Sequence, residues 1–166
     1  LLQPGLDGLL LHACRRYNIS PKMLELELTE SALVHSMDIV TPMLHRLRGH
    51  GFSLALDDFG TGYSSLSYLR HLPFDKVKID RSFVMDIGAD PAASRLLESI
   101  VQLCKVLGMR TVAEGVETAD QLAALAAMGV DEFQGYYFAK PMALDHWLDL
   151  LRQPGQLLPV QPATAP

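Results

Sequence analysis

Apolar residues along this chain follow two rhythms. Short runs alternate every second residue, and longer stretches repeat every three or four. Strand-like runs lie at 24–29 (LELELT), 52–57 (FSLALD), 76–80 (KVKID), 110–114 (RTVAE) and 131–135 (DEFQG). Helix-like stretches separate them, and their ends carry punctuation. Asp90 and Pro91 provide an N-cap and a first-turn proline, and Gly108 closes that helix. Thr118 with Gln121 makes a capping box, and Gly129 ends the helix it opens. The stretch 37–49 reads as a helix whose Pro42 sits in the first turn, where a missing N–H does little harm. Further helices are predicted near 6–17, before the first strand, and near 144–151, after the last. Residues 153–166 (QPGQLLPVQPATAP) are proline-rich and read as a mobile tail. Strand–helix alternation with little else predicts an α/β fold built on a parallel sheet or barrel.

Successive side chains on a strand point to opposite faces, so each run divides in two. In 24–29 one face holds Leu24, Leu26 and Leu28, the other Glu25 and Glu27. In 76–80, Val77 and Ile79 oppose Lys76, Lys78 and Asp80; in 52–57, Leu54 and Leu56 oppose Ser53, Ala55 and Asp57. The leucine and valine faces suit helices packed outside. The opposite faces then share an interior, with Glu27, Asp57, Lys78, Glu114 and Gln134 each late in its strand. In a (β/α)8 barrel that C-terminal rim is where active sites are built.

Three carboxylates (Glu27, Asp57, Glu114) and the adjacent Asp58 cannot all ionise at one rim without a positive partner. Hard divalent cations that prefer oxygen ligands, Mg2+ or Mn2+, resolve the repulsion. Lys78 among them is predicted to stay protonated. Taken singly, each feature has an ordinary reading. Paired aspartates often cap a turn, a strand glutamate often pairs with a surface cation, a strand-end lysine is often solvated, and Gln134 alone is uninformative. Their convergence on one rim carries the metal reading.

Composition narrows the field. The chain has 166 residues, 49% of them hydrophobic, and a formal charge of -5. That length supports one domain with a real core. The acidic balance argues weakly against duplex nucleic acid or an anionic membrane as partner, and no apolar run is long enough to span a bilayer. Cys14 and Cys104 read as buried free thiols, which suits a reducing cytoplasm. The six histidines (His12, His35, His45, His50, His71, His146) lack metal-ligand spacing and read as surface or helix-face residues. Because Leu1 is not methionine, a preceding segment is expected.

The segments LELELTES, LALDDFGTGYSSLSYLRHLPFDKVKIDRSFV, TVAEGVET and FQGYYFAKP resemble the EAL domain, the bacterial cyclic di-GMP (c-di-GMP) phosphodiesterase family. The resemblance runs in the family's order from residue 1 to about 151, and it implies a domain over 1–152. It implies a TIM-type (β/α)8 barrel, here incomplete, with about five parallel strands. By the same resemblance, Glu27, Asp57, Asp58 and Glu114 match acidic metal-site positions of a two-metal centre for Mg2+ or Mn2+. Lys78 matches a lysine that helps position the attacking water, which makes Lys78, Glu114 and Asp57 the catalytic set. Gln134 and Glu117 match positions beside the substrate. Glu30 matches the glutamate that pins the loop at 59–65, whose conformation couples dimerisation to catalysis in the family. The implied function is metal-dependent hydrolysis of c-di-GMP to linear pGpG by in-line attack of an activated water, in a cytoplasmic homodimer. The family's glutamate–alanine–leucine tripeptide does not occur here, and the family's Asn ligand would fall before Leu1. A full barrel needs about 250 residues. A non-hydrolysing c-di-GMP receptor and a dimerisation module are therefore the alternative expectations.

Overall fold

The computed structural model describes residues 5–34, 37–60 and 66–152. The proline-rich tail expected at 153–166, His35, and all but the first two residues of the 59–65 loop lie outside the described residues. Five strands form one sheet in the order β1-β2-β3-β4-β5, with every neighbouring pair parallel. They are β1 (Glu25–Thr29), β2 (Ser53–Phe59), β3 (Lys76–Ile79), β4 (Arg110–Ala113) and β5 (Glu132–Phe133). Among the described residues the sheet is open, with β1 and β5 at its edges. This is the predicted α/β architecture of an incomplete barrel.

Helices α1 (Leu6–Tyr17), α2 (Glu30–Val34), α3 (Met37–Gly49), α4 (Leu66–His71), α5 (Arg81–Met85), α6 (Pro91–Val106), α7 (Ala119–Met128) and α8 (Leu144–Leu151) fill the connections. The outward strand residues pack on them as expected. Leu28, Leu54, Leu56 and Val77 join Val40, Leu44 and Leu47 of α3 in one buried cluster. Ile79 and Ala113 join Val84, Leu97, Val101 and Leu125 in a second. Asp90 caps α6 through Ala92 N–H at 2.7 Å, and Thr118 and Gln121 close a reciprocal capping box on α7.

Three expectations need correction. Pro42 lies inside α3, five residues beyond its start and not in the first turn. The buried stripe Val40, Met43, Leu44 and Leu47 holds the helix across the one hydrogen bond that proline cannot donate. Asp80 leaves the interior face: β3 stops at Ile79, and the Asp80 carboxylate accepts the Ser82 N–H as N-cap of α5. β5 is two residues long: the Gln134 N–H still bonds Ala113 of β4, but its carbonyl accepts from Val116, beyond the end of β4.

Candidate active site

The paired aspartates sit on a bulge. Leu56 is in register with Val77 and Phe59 with Ile79, so Asp57 and Asp58 together oppose the single residue Lys78. Asp58 takes a left-handed conformation, φ 53°, uncommon for a residue with a Cβ and most tolerated by Asn and Asp. In an unbroken strand the two carboxylates would point to opposite faces. Here oxygens of Asp57, Asp58 and Glu114 all lie within 4.8 Å of one another. The bulge is legible in retrospect. The buried outward residues run Leu54, Leu56 and then Phe59, a step of three where the strand period demands two.

Lys78 is the cation at the centre. Its Nζ lies 2.8 Å from Glu27 Oε2, 2.9 Å from Asp57 Oδ1 and 2.9 Å from Glu114 Oε1, joining β1, β2 and the end of β4. Burial opposes its charge, but the three carboxylates outweigh that and hold its pKa well above the ordinary lysine value. That direction agrees with the expectation of a protonated Lys78.

One ammonium does not satisfy this rim. Three carboxylates share the Lys78 ammonium, and the buried Asp57 Oδ1, 2.9 Å from it, has no other partner among the described residues. All-oxygen donors and more carboxylates than one ammonium neutralises suit a hard divalent cation. Among the described residues, Asp57, Asp58 and Glu114 are grouped closely enough that they could hold one. Glu27 stands apart from that trio, half-exposed and engaged with Lys78.

Beside Glu114 a cavity of about 260 Å³ is lined by Arg81, Glu117, Gln134 and Tyr136. Two of these lining residues pair, Arg81 reaching Glu117 Oε1 at 2.8 Å. Gly135, which also lines the cavity, permits this architecture, since a Cβ there would run into the Val116 backbone. Glu30 is buried, and its Oε2 accepts the Gly60 N–H at 3.0 Å, at the start of the loop it was expected to pin. The five described histidines are exposed, and both cysteines are free and buried.

Strand alternation did not pair one group of charges. Lys76 Nζ lies 2.8 Å from Glu25 Oε2 and 2.9 Å from Glu132 Oε2, and Arg110 lies 2.7 Å from Glu132 Oε1. Burial opposes the Lys76 charge too, and the two glutamates again prevail and raise its pKa. Glu25 and Lys76 read as inward from the sequence, and alternation from Gln134 puts Glu132 on the same face, but alternation alone does not say which charges meet.

The sequence profile of the EAL domain matches residues 1–141. The chain belongs to the EAL domain family. This EAL domain is 46% identical over 141 residues to the protein named cyclic di-GMP phosphodiesterase NbdA of Pseudomonas aeruginosa, covering 85% of this chain and 18% of NbdA. Its fold superposes on the PaMucR phosphodiesterase, solved as a c-di-GMP complex, with TM-score 0.83 and 36% identity over 87% of this chain and 59% of that one. It also superposes on Klebsiella pneumoniae BlrP1, solved with manganese and c-di-GMP. There the TM-score is 0.79 and the identity 36%, over 84% of this chain and 36% of that one. The chain spans less than a quarter of the length of the curated relatives NbdA and PA2567.

Proposed function

We propose that this EAL domain serves the metal-dependent hydrolysis of c-di-GMP to pGpG. The observation that carries the reading is the bulged Asp57–Asp58 pair meeting Glu114 around a protonated Lys78. The phosphodiesterase names and the c-di-GMP complexes of its relatives supply the substrate class.

Asp57, Asp58 and Glu114 would hold Mg2+ or Mn2+, with Glu27 at the flank. A divalent cation there supplies Lewis-acid stabilisation of phosphate charge and lowers the pKa of water. The remaining work falls to side chains. Lys78 is protonated and so is not the general base. Its ammonium orients Glu27, Asp57 and Glu114 and places positive charge where a phosphodiester gathers negative charge in an in-line displacement. Gln134 and Glu117 line the adjoining cavity and are assigned to substrate. Glu30 anchors the loop that begins at Gly60. The same reading assigns residues 1–152 to the domain and a cytoplasmic homodimer to the protein. The free buried cysteines favour a reducing compartment.

The test is incubation with c-di-GMP and Mn2+, with product separated by chromatography. Release of pGpG is expected. Tight binding of c-di-GMP without turnover would replace the enzyme by a receptor, and neither binding nor turnover would leave a structural module.

A further inference from the structure

A second ionic layer lies beneath the cluster, and the proposed chemistry does not use it. Lys76 is buried on the central strand β3, and its ammonium contacts Glu25 and Glu132 at 2.8 and 2.9 Å. Those two glutamates belong to β1 and β5, the opposite edges of the sheet. In a flat sheet, strands four places apart are separated by about 19 Å. One ammonium gripping a carboxylate from each edge therefore requires a sheet curled with this face concave. Two residues further along β1 and β3 stand Glu27 and Lys78, and Gln134 follows just past the end of β5. Residues two apart on a strand share a face, so the layers are stacked at about 7 Å.

We propose that Lys76 is a positioning residue for the site. By tying Glu25 and Glu132 it sets how far both edge strands curl inward, and so where Glu27 and Gln134 stand relative to Lys78, Asp57 and Glu114. This rests on the reading of the upper layer as the metal and substrate site. The lower layer is balanced in charge: Lys76 and Arg110 face Glu25 and Glu132, and Arg110 holds the second oxygen of Glu132. It needs no added cation and is complete whatever fills the layer above. Buried ion pairs add little net stability over apolar packing of the same volume. The consequence of this one is geometric.

Three variants of the protein test the tie. Lys76→Met removes both contacts, Glu25→Gln weakens the β1 contact alone, and Lys76→Arg keeps the charge. Amide hydrogen exchange without metal reads the edges, and calorimetric titration with Mn2+ reads the site. Lys76→Met is expected to speed exchange at both edges and to weaken Mn2+ binding about tenfold, the scale for residues that support a ligand from behind. Lys76→Arg is expected to restore most of that affinity. Glu25→Gln is expected to speed exchange at β1 and leave β5 as it was. A folded Lys76→Met with Mn2+ affinity within about twofold of wild type overturns the proposal, as does equal exchange at both edges in Glu25→Gln. Should Lys76→Met fail to fold, Glu25→Gln, whose side chain is 30% exposed, carries both measurements. A wild-type protein that binds no Mn2+ would sink the functional reading instead, and edge-specific exchange would still decide the tie.

Discussion

Glu30 lies outside the carboxylate trio, and its proposed role is to anchor the loop that begins beside Asp58. It accepts the N–H of Gly60, a residue at φ 96° whose added Cβ would strike the Phe83 ring. Glu30→Ala leaves that N–H without this acceptor, a change on the order of 1–3 kcal/mol. The variant is expected to melt several degrees lower, to exchange faster at Gly60, and to hydrolyse c-di-GMP more slowly while binding Mn2+ normally. An unchanged melting temperature and rate would remove the anchor role. Cys104 offers a pH test. Burial, helped by the Asp131 charge, pushes its thiol up to about 11 from an ordinary 9.0. Alkylation at pH 8 is therefore expected only after unfolding, with mass spectrometry reading the label; rapid labelling of the native protein would contradict the buried thiol. At this scale much was legible beforehand. Strand alternation placed Glu27, Asp57, Lys78 and Glu114 on one face, because period two is strict wherever the other face packs on helices. The Asp58 turn was not, since alternation carries no information about a bulge except the slipped spacing from Leu56 to Phe59.

Helices that announced themselves did so through their ends. The predicted capping box at Thr118 and Gln121 is formed in both directions, and Thr118→Ala is expected to cost about 1 kcal/mol, read as a lowered denaturation midpoint. No change would mean that α7 is held by packing alone. Helices α2, α4 and α5 span only five or six residues, too few for a 3.6-residue period to register. The Asp80 cap was masked by the same shortness, because KVKID alternates cleanly up to the residue that turns. Pro42 shows the opposite failure: a local rule about helix interiors gave way to four buried contacts on one face.

The sheet as a whole curls around two stacked lysines, and among the described residues it ends in two unpaired edges. Open edges recruit further strands, and α8 adds exposed Leu144, Trp147 and Leu148 nearby in sequence. Residues 1–166 alone are therefore expected to associate with rising concentration and to hydrolyse c-di-GMP measurably but more slowly than a complete EAL phosphodiesterase. A compact monomer in light scattering, with the rate of a complete EAL phosphodiesterase, would show that five strands suffice. The most direct measurement concerns the carboxylate trio that the curled sheet assembles. Turnover of c-di-GMP by the protein should be followed with Mn2+, with a chelator, and in Asp57→Asn, with circular dichroism and Mn2+ titration alongside. Hydrolysis is expected with Mn2+, to vanish with the chelator, and to fall by orders of magnitude in an Asp57→Asn variant that keeps its fold and binds Mn2+ weakly. Undiminished hydrolysis in the chelator, or a folded Asp57→Asn working at the wild-type rate, would contradict the assignment of Asp57, Asp58 and Glu114 as the metal site.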